Sequence, residues 1–283
     1  MKVLIYGTGG MAQRRAGILQ SMVPGLNLWF HDPLRNIHAP ARTGYDAVFV
    51  CSPVETHLEY VNDALLARQP VFVEKPFVLP SQVAQARRLV AESESTGTPL
   101  LVGHNLLWTE AYSDFEDQRL WYGAPLYYEG RFGYNIHEWG HAQHRQLPIG
   151  GIALECIQDL AIATSLLGQP SVQHFREGWL SDVADMVGHA DWAQLSLQFP
   201  DNVPGTLTMD GVRTDRTRLH QIICEEGTAT MDLSTKDAVD VLESYEREVS
   251  AFLSWIKHGG WAEGKWPDPI ASLETLRLAG VAA

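Results

Sequence analysis

The sequence predicts an α/β protein in two parts: a doubly wound parallel sheet first, then an α+β part with an open, mainly antiparallel sheet. Three observations carry this reading. Short apolar runs alternate with helical stretches up to about residue 120, and period-two alternation of polar and apolar side chains begins after Trp121. A glycine-rich turn also follows directly on the first apolar run. The boundary is therefore placed between residues 1–120 and 121–283.

In the first part, Lys2 to Tyr6, Leu26 to Phe30, Ala47 to Cys51, Val71 to Val73 and Leu100 to Val102 read as strands. Val54 to Ala67 and Gln82 to Glu94 read as helices between them. Strands this uniformly apolar belong to a parallel sheet covered on both faces. Ser81 is the expected N-cap of the second helix, and Gly97 with Pro99 ends it. In the second part, Ala193, Leu195, Leu197 and Phe199 alternate with Gln194, Ser196 and Gln198, and Pro204-Gly205 reads as a hairpin turn into Thr206 to Met209. A helix from Val241 to Ile256 places Leu242, Tyr245, Val249, Phe252, Leu253 and Ile256 on one side, and a last helix follows Pro267-Asp268-Pro269.

A length of 283 residues with 45% hydrophobic content is enough to bury a substantial core. The formal charge of -13, with no basic stripe, argues against nucleic acid or an anionic membrane as partner. No apolar run reaches membrane-spanning length and the N-terminus has no leader-like pattern, so a cytoplasmic location is expected. Cys51, Cys156 and Cys224 are few, odd in number and far apart, which reads as three reduced thiols.

The turn Gly7-Thr8-Gly9-Gly10-Met11-Ala12 lies between a strand and a helix, as a dinucleotide's pyrophosphate requires. Gly7, Gly9, Gly10, Met11 and Ala12 are thus candidate cofactor contacts, with Ala12 in place of the third glycine. Asp32 ends the second strand about twenty residues on. A carboxylate there accepts from a ribose hydroxyl and repels a 2′-phosphate, which favours NAD. Arg35 could instead pair with that phosphate, so NADP is the alternative.

Further residues make the pattern specific. Cys51-Ser52-Pro53, His57 in the following helix, Glu74-Lys75-Pro76-Phe77, Gly103-His104-Asn105, Glu226-Gly227-Thr228 and Glu248 to Phe252 together resemble the glucose-fructose oxidoreductase / inositol dehydrogenase (Gfo/Idh/MocA) family, nearly along the whole chain. The resemblance implies an N-terminal Rossmann domain that binds the dinucleotide and a C-terminal domain for substrate binding and oligomerisation. It implies that Lys75 reaches the substrate hydroxyl or carbonyl beside the nicotinamide, and that Glu74 helps hold the cofactor together with Cys51, Ser52, Pro53 and His57. An ammonium there would lower the cost of a developing alkoxide.

The family's second signature is a glycine-led helix carrying a glutamate and a catalytic histidine. Laid on Gly150 to Ala161 without a gap, the glutamate falls on Glu155, the histidine on Gln158, the next acidic position on Asp159 and the usual aspartate on Ala161. Gln158 can hydrogen-bond a sugar oxygen but cannot exchange a proton near neutral pH. Asp159 is then a substitute proton carrier, and Leu107 stands where many relatives have arginine. His104, Tyr134, His137, His141 and His144 are further titrating candidates, with His104, Asn105, Tyr134, Trp139, Glu155 and Gln158 as expected substrate contacts. A zinc site from His137, His141 and His144 is disfavoured by Gly140 and the missing carboxylate, so no metal is expected.

The expected activity is NAD(P)-dependent hydride transfer to or from a secondary alcohol or ketone of a sugar or nucleotide-sugar. Lys75, Gln158 and Asp159 are its expected catalytic set. The alternatives are a dinucleotide-binding sensor or scaffold without catalysis, and a reductase of a non-sugar carbonyl or imine. The open sheet also predicts a homo-oligomer, a dimer or tetramer.

Overall fold

A computed structural model describes residues 1–135, 151–180, 190–234, 239–259 and 268–281. The chain divides into two compact units, Met1–Asn105 with Leu242–Ile270, and Leu106–Val241 with Ala271–Ala283. The division thus falls at 105/106 rather than 120/121, and a later segment returns to the first unit.

In order, the first unit contains β1 (Lys2–Tyr6), α1 (Gly10–Met22), β2 (Asn27–His31), β3 (Ala47–Val50), α2 (His57–Leu66), β4 (Val71–Glu74), α3 (Val83–Thr96) and β5 (Leu100–Gly103). The strands are parallel in the order β2-β1-β3-β4-β5, so the winding reverses between β1 and β3. Alternation across each strand serves two faces. Val3, Ile5, Phe49, Phe72 and Leu101 share a core with Ala16 and Leu19 of α1 and with Val249 and Phe252 of a later helix. On the other face Tyr6 stacks on Tyr60 of α2 at 3.9 Å between ring centroids. Val48, Val50, Val71 and Val73 are fully buried. Both faces being covered accounts for the uniformly apolar strands.

Short 3-10 turns precede α2 and α3. Ser81 lies inside the second of them. The Gln82 side chain accepts from the Leu79 amide at 3.1 Å, so this end is closed by Gln82 and not by a Ser81 cap. Gly97 ends α3 at φ 65°, as expected of a glycine after the last turn.

The second unit contains α4 (Glu110–Trp121), β6 (Pro125–Gly133), α5 (Gly151–Glu155), α6 (Ile157–Leu167), β7 (Ser171–Gly178), β8 (Trp192–Gln198), β9 (Pro204–Asp210), β10 (Thr217–Cys224) and β11 (Thr228–Asp232). The sheet order is β11-β10-β6-β9-β8-β7, antiparallel throughout except for the parallel pair β6–β9. Ala193, Leu195, Leu197, Leu207 and Met209 are buried on one face while Gln194, Ser196 and Thr208 point the other way. The reversal between β8 and β9 is made by Asp201 and Asn202 at φ 58° and 60°, not by Pro204-Gly205, which already lies in β9. Short polar side chains tolerate this left-handed backbone.

Helix α7 (Val239–His258) crosses from the second unit back to the first, and α8 (Ala271–Ala279) closes the second. The buried face of α7 is Ser244, Glu248, Val249 and Phe252, whereas Leu242 is 63% exposed. The apolar stripe read from sequence is therefore displaced toward two polar residues. No described helix is long and apolar enough to cross a membrane.

Candidate active site

The first unit gathers its chemistry-bearing residues at the C-terminal ends of its strands, the edge where doubly wound sheets hold ligands. Gly7 follows β1 at φ 90°, and a Cβ there would lie 2.7 Å from the Cys51 carbonyl oxygen. Only glycine allows this turn to pass so close to the one after β3. By contrast, Cβ positions on Gly9 and Gly10 would meet nothing within 4 Å, and Gly9 caps α1 without a side-chain hydrogen bond. Among the described residues there is thus open space around Gly9 and Gly10 at the positive end of a helix of 13 residues, and this fits a pyrophosphate. Ala12 is fully buried beneath the turn and Met11 is half-buried. Gly7→Ala is expected to cost about 1–3 kcal/mol through backbone strain and to weaken dinucleotide binding. Thermal melting with and without NAD checks this, and an unchanged melting temperature would contradict it.

Asp32 follows β2 and accepts from Thr8 Oγ1 at 2.5 Å. Arg35 donates to the same hydroxyl at 2.9 Å, and its Nε lies 3.9 Å from the Asp32 carboxylate. Both candidate determinants of cofactor choice thus meet at the glycine turn.

After β3, Cys51-Ser52-Pro53 is pinned by His57. Its Nε2 lies 2.8 Å from the Ser52 carbonyl oxygen and its Nδ1 2.9 Å from that of Pro76. Ser52 Oγ also bonds Thr56 Oγ1 at 2.7 Å. Burial lowers the imidazole's proton affinity and raises that of the Cys51 thiol. With both ring nitrogens against backbone carbonyls, His57 ties the turn after β3 to the segment after β4. It is a strut beneath the candidate site.

Glu74 is the last residue of β4, and Lys75 is joined to Pro76 by a cis peptide. Glu74 pairs with Gly103 across β4 and β5, so Lys75 and His104 are the next residues along neighbouring strands. His104 is 2% exposed, and burial together with the Lys75 ammonium pushes it down to about 4. Its Nδ1 is buried with no hydrogen-bond partner among the described residues. It therefore stays neutral and is no acid at physiological pH. Asn105 Nδ2 donates to Ser244 Oγ at 3.0 Å with both side chains buried, so Asn105 anchors α7 and is not open to a substrate hydroxyl.

Beneath these strand ends lies an ion-pair cluster that the sequence reading missed. Arg15, fully buried in α1, donates through Nε to Glu74 at 2.7 Å and through Nη2 to Glu248 of α7 at 2.7 Å. The guanidinium also lies 4.4 Å from the Phe72 ring centroid. Burial, followed by the neighbouring Glu74 charge, outweighs the attraction of Arg15 and lifts Glu248 to about 7. One cation cannot fully compensate two buried carboxylates, and the less exposed one gives way.

In the second unit, Glu155 and Gln158 are the two residues of 151–164 that are not buried, the first ending α5 and the second in the first turn of α6. Asp159 is different. It is fully buried and held by Arg218 at 3.0 and 3.1 Å and by His220 Nε2 at 3.1 Å, and His220 Nδ1 meets the Tyr128 hydroxyl at 2.8 Å. Burial alone would raise this carboxyl, but Arg218 and His220 hold it below the ordinary carboxylate range. So committed, Asp159 locks α6 to the sheet and does not replace a missing proton carrier. Tyr134 is half-buried, with its amide donating to the Asp210 carbonyl at 2.9 Å and Arg216 5.8 Å from its ring. Trp139, His137, His141 and His144 lie outside the described residues. Among the described residues no group of three His, Cys, Asp or Glu is arranged to hold a metal.

The chain's residues 30–104 match an oxidoreductase family with an NAD-binding Rossmann fold, Gfo/Idh/MocA. The match covers the part of the first unit from β2 to the end of β5. Among relatives, the scyllo-inositol 2-dehydrogenase (NAD(+)) of Bacillus subtilis (strain 168) is 27% identical over 187 residues, covering 64% of this chain and 52% of its own length. The inositol 2-dehydrogenase of Paracoccus denitrificans (strain Pd 1222) is 42% identical over 121 residues, covering 36% of this chain and 35% of its own length. The chain thus spans about half, or less, of the length of these relatives. The fold of the chain is shared with GenD2 from gentamicin A biosynthesis, solved in complex with NAD, at a TM-score of 0.82 and 18% identity over 99% of this chain and 93% of that one. Myo-inositol 2-dehydrogenase from Lactobacillus plantarum gives a TM-score of 0.77 at 17% identity over 99% of this chain and 96% of that one.

Proposed function

We propose that the chain is an NAD-dependent oxidoreductase that moves a hydride between nicotinamide and a secondary alcohol or ketone of a cyclic polyol or sugar. The observation that carries this is the meeting, on one sheet edge, of an anion-ready glycine turn, Asp32 and Glu74-Lys75. The relatives named as inositol dehydrogenases point to the substrate class. The nicotinamide, when bound, supplies the hydride acceptor or donor. Gly7 to Ala12 hold the pyrophosphate, Asp32 holds the adenosine ribose, and Lys75 Nζ takes or returns the hydroxyl proton. Gln158, by its chemistry, can hydrogen-bond a hydroxyl but cannot exchange a proton. Absorbance assays of NAD reduction with myo-inositol, scyllo-inositol, free hexoses and nucleotide-sugars test this. Formation of NADH with one of them is expected.

The presence of Gln158 at the position of the family's histidine favours one other reading, an NAD-binding sensor that does not turn over. Tight NAD binding with no reduction of NAD across the panel would select it. Asp32→Ala is expected to weaken NAD binding by about 10- to 100-fold, the loss of a hydrogen bond to a charged group. It is also expected to narrow the preference over NADP. Calorimetric titration with both dinucleotides checks this, and unchanged NAD affinity would remove Asp32 from the ribose site. The sheet face carrying Tyr127, Gln194, Thr206, Thr208, Gln221 and Thr230 is the proposed surface for self-association into a dimer or tetramer. Light scattering that reports a monomer at all concentrations would dismiss it.

A further inference from the structure

We propose that Glu248 is a positioning residue for Lys75: acting through Arg15 and Glu74, it fixes the end of β4 and sets the negative charge that the Lys75 ammonium faces. The inference deepens the reading of Lys75 as proton carrier and rests on it for its functional meaning.

The geometry is a chain of contacts within the first unit. Glu248 Oε2 binds Arg15 Nη2 at 2.7 Å, and Arg15 Nε binds Glu74 Oε1 at 2.7 Å. Glu74 is bonded directly to Lys75. Arg15 is seated between Phe72 at 4.4 Å and the Tyr245 ring at 5.1 Å, and its Nη1 donates to the Tyr245 carbonyl at 3.3 Å. Gly103 keeps the space, since a Cβ there would come within 3.0 Å of Phe72 and 3.3 Å of Arg15 Nη2. A guanidinium so enclosed has one arrangement, and it passes the placement of α7 to the strand end that carries Lys75.

The charge balance follows from what faces the cluster. Just after β3 comes Cys51, just after β5 His104 and from α7 Tyr245, with Arg14 above the Tyr245 ring. Burial raises the Cys51 thiol and the Tyr245 phenol and lowers His104, so all three stay neutral near pH 7. Arg15, Glu74 and Glu248 remain as the charged members beside that surface arginine, with Lys75 next to Glu74 along the chain and its ammonium acting on His104. With Glu248 ionised, the Arg15 cluster carries one net negative charge next to Lys75. With Glu248 protonated it carries none. Glu248 lies near 7, so its ionised form prevails at the higher pH where a lysine loses its proton.

The test measures the Lys75 amine itself and needs no substrate. The full chain is acetylated with trace acetic anhydride across a pH series. Mass spectrometry of the Lys75 peptide gives the titration midpoint, and exposed Lys257 serves as reference. Glu248→Gln is expected to lower the Lys75 midpoint by on the order of one pH unit, because a buried negative charge is removed. Glu248→Leu removes the same charge with an apolar side chain of similar length and is expected to give the same shift, so the test survives if either variant folds poorly. Ser244→Ala breaks the neighbouring contact of α7 to Asn105 without changing charge, and is expected to leave the midpoint in place. A midpoint unchanged in a folded Glu248 variant overturns the inference, as does an equal shift in Ser244→Ala. A shifted midpoint with full turnover in a Lys75 variant would leave this inference standing and remove the catalytic reading instead.

Discussion

Lys75→Met lowers NAD-linked turnover by about 10²- to 10⁴-fold while NAD affinity stays near that of the parent, because the variant removes the group that moves the proton and leaves the glycine turn intact. The size of the effect follows from the local chemistry. His104, one strand over, is pushed down to about 4, and Gln158 does not titrate, so neither can take over the proton. Steady-state rates and calorimetric NAD binding, measured on the same preparations, check both halves. Equal turnover in variant and parent would show that hydride transfer proceeds without this amine. Loss of NAD binding in step with turnover would mean that Lys75 acts on the cofactor and not on the proton.

Asp159→Ala carries the largest expected stability loss, about 3–5 kcal/mol, because it leaves Arg218 and the fully buried His220 without their shared carboxylate. Asp159→Asn keeps hydrogen-bonding capacity and is expected to lose less. The pH dependence has a fixed sign. A carboxyl held below its unfolded value stabilises the fold at higher pH, and this contribution disappears as pH falls through and below about 4. Urea denaturation of parent and variant at neutral and acid pH measures it. The two curves should converge as the pH is lowered, and a constant gap would show that the Asp159 charge is not what holds α6 to the sheet.

The parallel sheet was legible in the sequence because strands buried on both faces leave unbroken apolar runs, as in Ala47–Val50 and Val71–Glu74. Gly7 and Lys75 were legible because a turn and a strand end have local signatures. The buried charges were not. Arg15, Glu248 and Asp159 carry side chains that residue type assigns to solvent, and each is made buriable by a partner 59 or 233 residues away. Nothing in the segment around Arg15 announces Glu248. The same distance hid the return of α7 to the first unit and drew the predicted boundary too late. Asp201 and Asn202 were a recoverable signal, since two short polar residues before Val203 suit left-handed backbone better than the Pro204-Gly205 pair does.

The position of the Lys75 amine relative to a bound nicotinamide decides the proposed chemistry, and a crystal structure with NAD and a cyclic polyol that the chain turns over measures it directly. It should place the pyrophosphate on the Gly7 to Ala12 turn and Lys75 Nζ within about 2.6–3.2 Å of the reacting oxygen. An amine directed into solvent, with NAD bound and the polyol held by other groups, would contradict it.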